Sequence, residues 1–229
     1  NCDIRYGGRF NHAVWARNGG SFSATNCNFL TNSKSIRIEG GAEPVITNCP
    51  LAPFSDGITI YDPSSGAGIS NCTITQGDGY PVLLPMDSVD RFLYAMNNVY
   101  IPRGDDMWDA VGITTSNITE SMTLPVLPHD FVYYLASSEV KVGGPSLPVL
   151  TISPETIVKN YRSTFSIGQG VLNPGGINSQ GVTFTSLYDD SVGGDTSLNG
   201  ATVGAAGDWN QIKFAGGSSG SMSNTEMRY

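Results

Sequence analysis

"NCNFL" at 26–30, "NCPLA" at 48–52 and "NCTIT" at 71–75 are one phrase written three times, and "NCDIR" at 1–5 is a fourth copy. A degenerate fifth, "NVYI", follows at 98–101, so successive starts lie 25, 22, 23 and 27 residues apart. All four cysteines, Cys2, Cys27, Cys49 and Cys72, occupy the same position of the phrase. Self-similarity at a period of this size marks a repeat architecture in which each unit packs on its neighbours.

Between one phrase and the next lies a second, apolar at alternate positions: "AVWA" at 13–16, "SIRI" at 35–38, "GITI" at 57–60, "PVLL" at 81–84 and later "QIKF" at 211–214. Alternation over four or five residues rich in Val and Ile is strand chemistry. "RNGGS", "EGGAEP" and "DPSSGAG" between the runs carry turn residues that supply positive φ. No stretch of ten residues has helical periodicity. Short strands with tight corners, repeating every 22 to 27 residues, describe the coils of a parallel β-solenoid. Coils in such a stack lie about 4.8 Å apart, so like residues sit over like.

Two columns are expected from this. Cys2, Cys27, Cys49 and Cys72 form an internal file, and Asn1, Asn26, Asn48, Asn71, Asn98 and Asn224 form a corner ladder whose amides hydrogen-bond from coil to coil. The spacing admits both thiols and two disulfides, since neighbouring coils fall within disulfide reach. Stacked side chains that point the same way favour thiols packed as small apolar groups. One cysteine per coil, never C-x-x-C, argues against a metal site.

The chain has 229 residues, 12 Lys and Arg against 20 Asp and Glu, and a net charge of -8, with only 14% charged residues and 28 Gly. That balance argues against a nucleic-acid partner, which would need clustered positive charge. No apolar run is long enough to span a bilayer as a helix. The Gly, Ser and Asn content is that of an exported product. Asn1 is not preceded by a Met or a leader, and it reads as a cut within a longer chain.

From Val111 the period blurs, although "FVYYLA", "EVKV", "PVLTI", "STFSIG" and "GVTFTSL" continue as strand-like runs. The chain is therefore divided into regular coils over 1–107 and a continuing or restarted solenoid with longer loops over 108–229, forming one elongated body. Within the second part, "LTISPETIVK", "GVLNPGGINSQGVTFTSLYDDSVGGDT" and "GDWNQIKFAGGSSGSMSNTEMRY" resemble the repeat unit of bacterial right-handed parallel β-helix surface proteins. The resemblance covers about residues 112–229 and implies an all-β, right-handed parallel β-helix. It also implies an exported, cell-surface or adhesive role. In such units an "IRYGG" phrase holds a fixed place. Here "RYGG" stands at 5–8 and "RY" at 228–229.

The two extremities are thus equivalent: Asn1, Cys2, Asp3, Ile4, Arg5 and Tyr6 match Asn224, Thr225, Glu226, Met227, Arg228 and Tyr229. Open, complementary edges of this kind make heterologous head-to-tail contacts. The expected function is a non-enzymatic structural or adhesive module that stacks on itself, as a tandem array or a filament subunit.

Other chemistry is sparse. Asp189, Asp190 and Asp195 in "DDSVGGDTSLNG" offer hard oxygen ligands on a flexible loop suited to Ca²⁺, and the resembling units often have another Asp where Asn199 stands. The alternative function is a carbohydrate-binding or polysaccharide-degrading β-helix, with Asp56, Asp78, Asp105, Asp106 and Asp109 as available acids. Surface polysaccharide is then a second partner. The "NTD", "GHG" and "RIK" motifs of polygalacturonases do not occur together, and the only histidines are His12 and His129. Trp15, Trp108, Trp209, Tyr61, Tyr80, Tyr94 and Tyr100 form either a sugar-stacking strip or partly buried strand aromatics. "RGD" at 103–105 reads as a turn, and the Asn117 sequon is the more accessible of two.

Overall fold

The computed structural model describes residues 2–9, 11–62, 68–89, 97–102, 109–114, 116–127, 131–136, 139–167, 175–197 and 200–229. Asn1, Tyr94, Arg103, Asp105, Asp106, Trp108, His129 and Asn199 lie outside the described residues. The chain forms two compact units, Asn1–Val111 and Gly112–Tyr229. Both are parallel β-solenoids, and the first includes a 3-10 turn at Met86–Ser88.

In the first unit, β1 (Asp3–Arg5), β4 (Asn28–Leu30), β7 (Pro50–Ala52), β10 (Thr73–Thr75) and β12 (Val99–Ile101) stack in that order. A second face carries β2 (Val14–Ala16), β5 (Ile36–Ile38), β8 (Ile58–Ile60) and β11 (Val82–Pro85), and a third carries β3 (Ser23–Thr25), β6 (Val45–Thr47) and β9 (Gly68–Ser70). Register places Ile4 on Phe29, Phe29 on Leu51, Leu51 on Ile74 and Ile74 on Tyr100. Ile36, Ile58, Ile46 and Ile69 form parallel columns, all with no exposed surface. Each column removes apolar area from water at about 25 cal/mol per Å².

The cysteines occupy one slot of successive coils. All four are free thiols, and Cys27, Cys49 and Cys72 are buried. The Cys27 amide donates to Cys49 Sγ at 3.4 Å, while Cys49 and Cys72 donate to the carbonyls of Ala24 and Ile46 in the preceding coil at 3.6 and 3.7 Å.

The asparagine ladder is corrected in two ways. First, Asn26, Asn48, Asn71 and Asn224 are exposed and left-handed, with φ of 54°, 55°, 53° and 47°, so their shared role is to turn the backbone. Asn adopts that conformation more readily than other residues bearing a Cβ. Second, the register pairs Thr73 with Val99, which puts Asn97 (φ 52°) at the corner and Asn98 in the cysteine slot. Asn98 does there what the thiols do: its Oδ1 accepts from the Cys72 amide at 3.0 Å and its Nδ2 donates to the Ile69 carbonyl at 2.9 Å. Buried amides that bridge coils occur elsewhere. Asn32 donates to the Ile4 carbonyl at 2.8 Å and accepts from the Gly7 amide at 3.0 Å.

The second unit has three faces: β14 (Ser116–Ile118), β17 (Glu139–Val142), β20 (Thr164–Ile167) and β23 (Gln211–Phe214); β15 (Met122–Leu124), β18 (Val149–Ile152), β21 (Gly176–Gln180) and β24 (Ser219–Ser223); and β16 (Val132–Ala136), β19 (Ile157–Tyr161), β22 (Thr183–Ser186) and β25 (Glu226–Met227). "QIKF" is therefore not in the face formed by "SIRI" and "GITI"; it pairs with Thr164–Ile167. Phe165 and Phe184 pack edge to face at 5.7 Å within the core. The corner before β19, β22 and β25 is again left-handed, filled by Glu155 (φ 67°), Gly181 (φ 61°) and Asn224. Between β22 and β23 the described residues carry no strand.

Candidate functional site

Three outward surfaces carry chemistry, and the coil register explains each. On the β2–β5–β8 face, alternate residues point outward, which brings Trp15 beside Arg37 one coil on and puts Arg17, Glu39 and Tyr61 at the next outward position of three successive coils. Arg37 lies over the Trp15 ring at 4.8 Å and the Tyr61 ring at 4.3 Å, and Arg17 lies over Trp15 at 4.6 Å. Glu39 ties the group together, accepting from Trp15 Nε1 at 2.9 Å and from Arg37 Nη2 at 2.6 Å. Trp15 and Tyr61 thus project outward, yet guanidinium groups already engage their rings. Tyr100 is buried, Tyr80 is half-buried, and Trp209 is a half-buried loop residue whose Nε1 donates to the Arg228 carbonyl at 3.1 Å.

Just before these strands His12, Lys34 and Asp56 share one slot of successive coils. Lys34 Nζ meets Asp56 Oδ2 at 2.6 Å, and His12 Nε2 reaches Thr59 Oγ1 at 3.0 Å. Burial, seconded by the nearby Lys34 ammonium, lowers the His12 pKa to about 4. The 22-residue spacing of these three positions was the available signal for their meeting. Asp78 belongs to the Phe54 turn, its amide donating to the Phe54 carbonyl at 2.7 Å, and Asp109 is buried. Asp56 is already neutralised by its lysine.

The second surface is the acidic loop that holds the carboxylates of the calcium expectation. Asp189 is buried and accepts from Thr185 Oγ1 at 2.6 Å, Ser191 Oγ at 2.5 Å and Arg228 Nη1 at 2.9 Å. The two hydroxyls and the guanidinium outweigh its desolvation and hold its carboxyl below the usual range. Asp190 binds the amide and hydroxyl of Thr202, and Asp195 binds the amides of Ser197 and Gly200. Each carboxylate anchors a different part of the loop, and among the described residues no three such groups converge as metal ligands. Lys159, with no exposed surface, donates to the Gly194 carbonyl beneath the loop. Burial lowers its pKa to about 8, while Asp190, Asp189 and Asp195 oppose that shift. Gly193 (φ 66°) permits the contact, because a Cβ there would lie 2.4 Å from Val132.

The third surface is a trough of about 340 Å³ on the β18–β21–β24 face. Thr151, Asn178 and Ser221 line its floor in one column, and Ser153, Gln180 and Ser223 in the next. Pro154 forms an apolar border, and no ionisable side chain lines it. Sequence reasoning missed this site, because "GINSQ" and "SGSMS" lack the apolar alternation that identifies strands.

Residues 1–99 match the family model described as "Right handed beta helix region", which gives the winding of these coils as right-handed. No curated protein and no solved structure matches the chain. Among the described residues no helix is long and apolar enough to cross a membrane.

Proposed function

We propose that this chain is an extracellular or cell-surface structural module, adhesive or scaffolding, that works by coil-on-coil stacking with further copies of itself. The observation that carries this reading is the likeness of the two edge coils. Tyr6 and Tyr229 are both left-handed, with φ of 58° and 63°. Asp3 pairs with Arg5 at 3.1 Å, and Glu226 pairs with Arg228 at 3.3 Å. Ile4 heads the Phe29 column, and Met227 continues the Phe184 column. A strand laid on β25 would cover Met227 and pair its edge groups. The role is mechanical and needs no chemical step.

Sedimentation and electron microscopy of the 229-residue chain at rising concentration test this. End-to-end oligomers that Met227→Lys abolishes are expected. Discrete monomers at the highest concentrations would refute it.

A second reading, carbohydrate binding, is favoured by the uncharged trough on the β18–β21–β24 face.

A further inference from the structure

We propose that the trough on β18–β21–β24 binds a neutral polysaccharide strand laid across successive coils; the proposal rests on the carbohydrate reading of that face. The side chains of Thr151, Ser153, Asn178, Gln180, Ser221 and Ser223 make no hydrogen bond within the described residues. They offer two amides and four hydroxyls, groups that both donate and accept, as sugar hydroxyls do. Register pairing brings Thr151, Asn178 and Ser221 into one line, with Gln180 opposite Ser223 in the next. These groups therefore recur at the coil spacing of about 4.8 Å and suit a repeating polymer rather than a single compact molecule. Strands β18 and β21 are bonded on both sides, so little order must be gained there on binding.

Charge selects among polymers. A polyuronate would arrive with one carboxylate per sugar and would need arginine or lysine to offset its desolvation. The trough has neither, and the chain carries a net charge of -8, which repels polyanions at long range. A neutral glycan meets no such barrier, and the Pro154 ring offers an apolar wall for the C–H face of a sugar. The volume of about 340 Å³ is at the small end of ligand sites, as expected for a few sugar units of a longer strand.

Calorimetric titration of the full chain with neutral gluco-, manno- and xylo-hexasaccharides, and with oligogalacturonate of equal length, tests the proposal. The paired substitution Asn178→Ala and Gln180→Ala serves as the variant, with its melting temperature measured alongside. The expected result is binding of at least one neutral hexasaccharide, unaffected by salt. The variant should weaken it at least tenfold while melting where the parent melts. Neutral binding that the variant leaves unchanged would overturn the trough as the site and leave the carbohydrate reading standing. Preference for oligogalacturonate would overturn the charge argument, and absence of binding to every oligosaccharide would overturn both readings.

Discussion

Replacing Asn48 by alanine separates a backbone role from an amide ladder. Asn48 holds φ at 55°, its amide donates to the Ser70 carbonyl at 3.2 Å, and its side chain is exposed. Truncation therefore leaves no cavity and no buried orphan. What changes is the cost of the left-handed conformation, roughly 1–2 kcal/mol for a residue with a Cβ and less for Asn. Asn48→Ala should then lower stability by about 1 kcal/mol. Asn48→Gly removes that cost but adds about 0.4–1 kcal/mol of unfolded-state freedom, so it should fall within about 0.5 kcal/mol of the parent. Urea denaturation followed by circular dichroism reads both. The combined alanine variant at 26, 48 and 71 should lose about 3 kcal/mol if these exposed corners act independently. A glycine variant as damaged as the alanine variant would refute the reasoning, because it would mean that the lost amide itself holds the coils.

The left-handed corner before β19 holds Glu155 at φ 67°, so Glu155→Asn should stabilise by up to about 1 kcal/mol; a loss of stability would count against the conformational reading of that corner. Lys159 titrates near pH 8 in the fold against about 10.5 unfolded. Below pH 8 both states hold the proton and the buried charge costs about 3 kcal/mol, a cost relieved as pH rises to 10.5. The stability of the parent relative to Lys159→Met should rise by about that amount between pH 7.5 and 10.5, and a flat difference in urea midpoints would contradict it. Burial raises the Cys72 pKa to about 11, and Cys49 has no exposed surface, so iodoacetamide at pH 8 should leave both unlabelled in the native chain and label both in urea, as peptide mass mapping would show.

The coil was legible in the sequence because rigid stacking repeats a side chain at each turn, and the "NC" phrase records that repetition. The third strand of each coil was not, because Ser23–Thr25, Val45–Thr47 and Gly68–Ser70 each turn only one residue inward. Three residues cannot display a period of two. The slip at 97–98 has another cause: two adjacent asparagines satisfy two different slots, one demanding positive φ and one demanding a donor and an acceptor. Residue identity cannot tell these demands apart. The acidic loop shows its three carboxylates close together in sequence, whereas the cations near them, Arg228 on Asp189 and Lys159 beneath the loop, arrive from other positions of the coils. The trough escaped for a related reason. Hydroxyls and amides two or three coils apart look like linker composition until pairing aligns them.

The cysteine file follows from what its slot requires. Each occupant accepts, or stands ready to accept, an amide from the coil before and donates to a carbonyl there: Cys49 to Ala24, Cys72 to Ile46, Asn98 to Ile69. Ala24, Ile46 and Ile69 are themselves one column, so the donation repeats from turn to turn. A thiol is a weak donor and a weak acceptor with an apolar surface, so it meets both demands at little desolvation cost where no water reaches. Asn98 takes over at a half-buried position, where a stronger amide can be partly hydrated. Joining Cys49 to Cys72 as a disulfide would remove both S–H donors, which also lie near the Thr47 and Ser70 carbonyls of their own coils at 3.3 and 3.4 Å, so the bonding of the slot favours the reduced file.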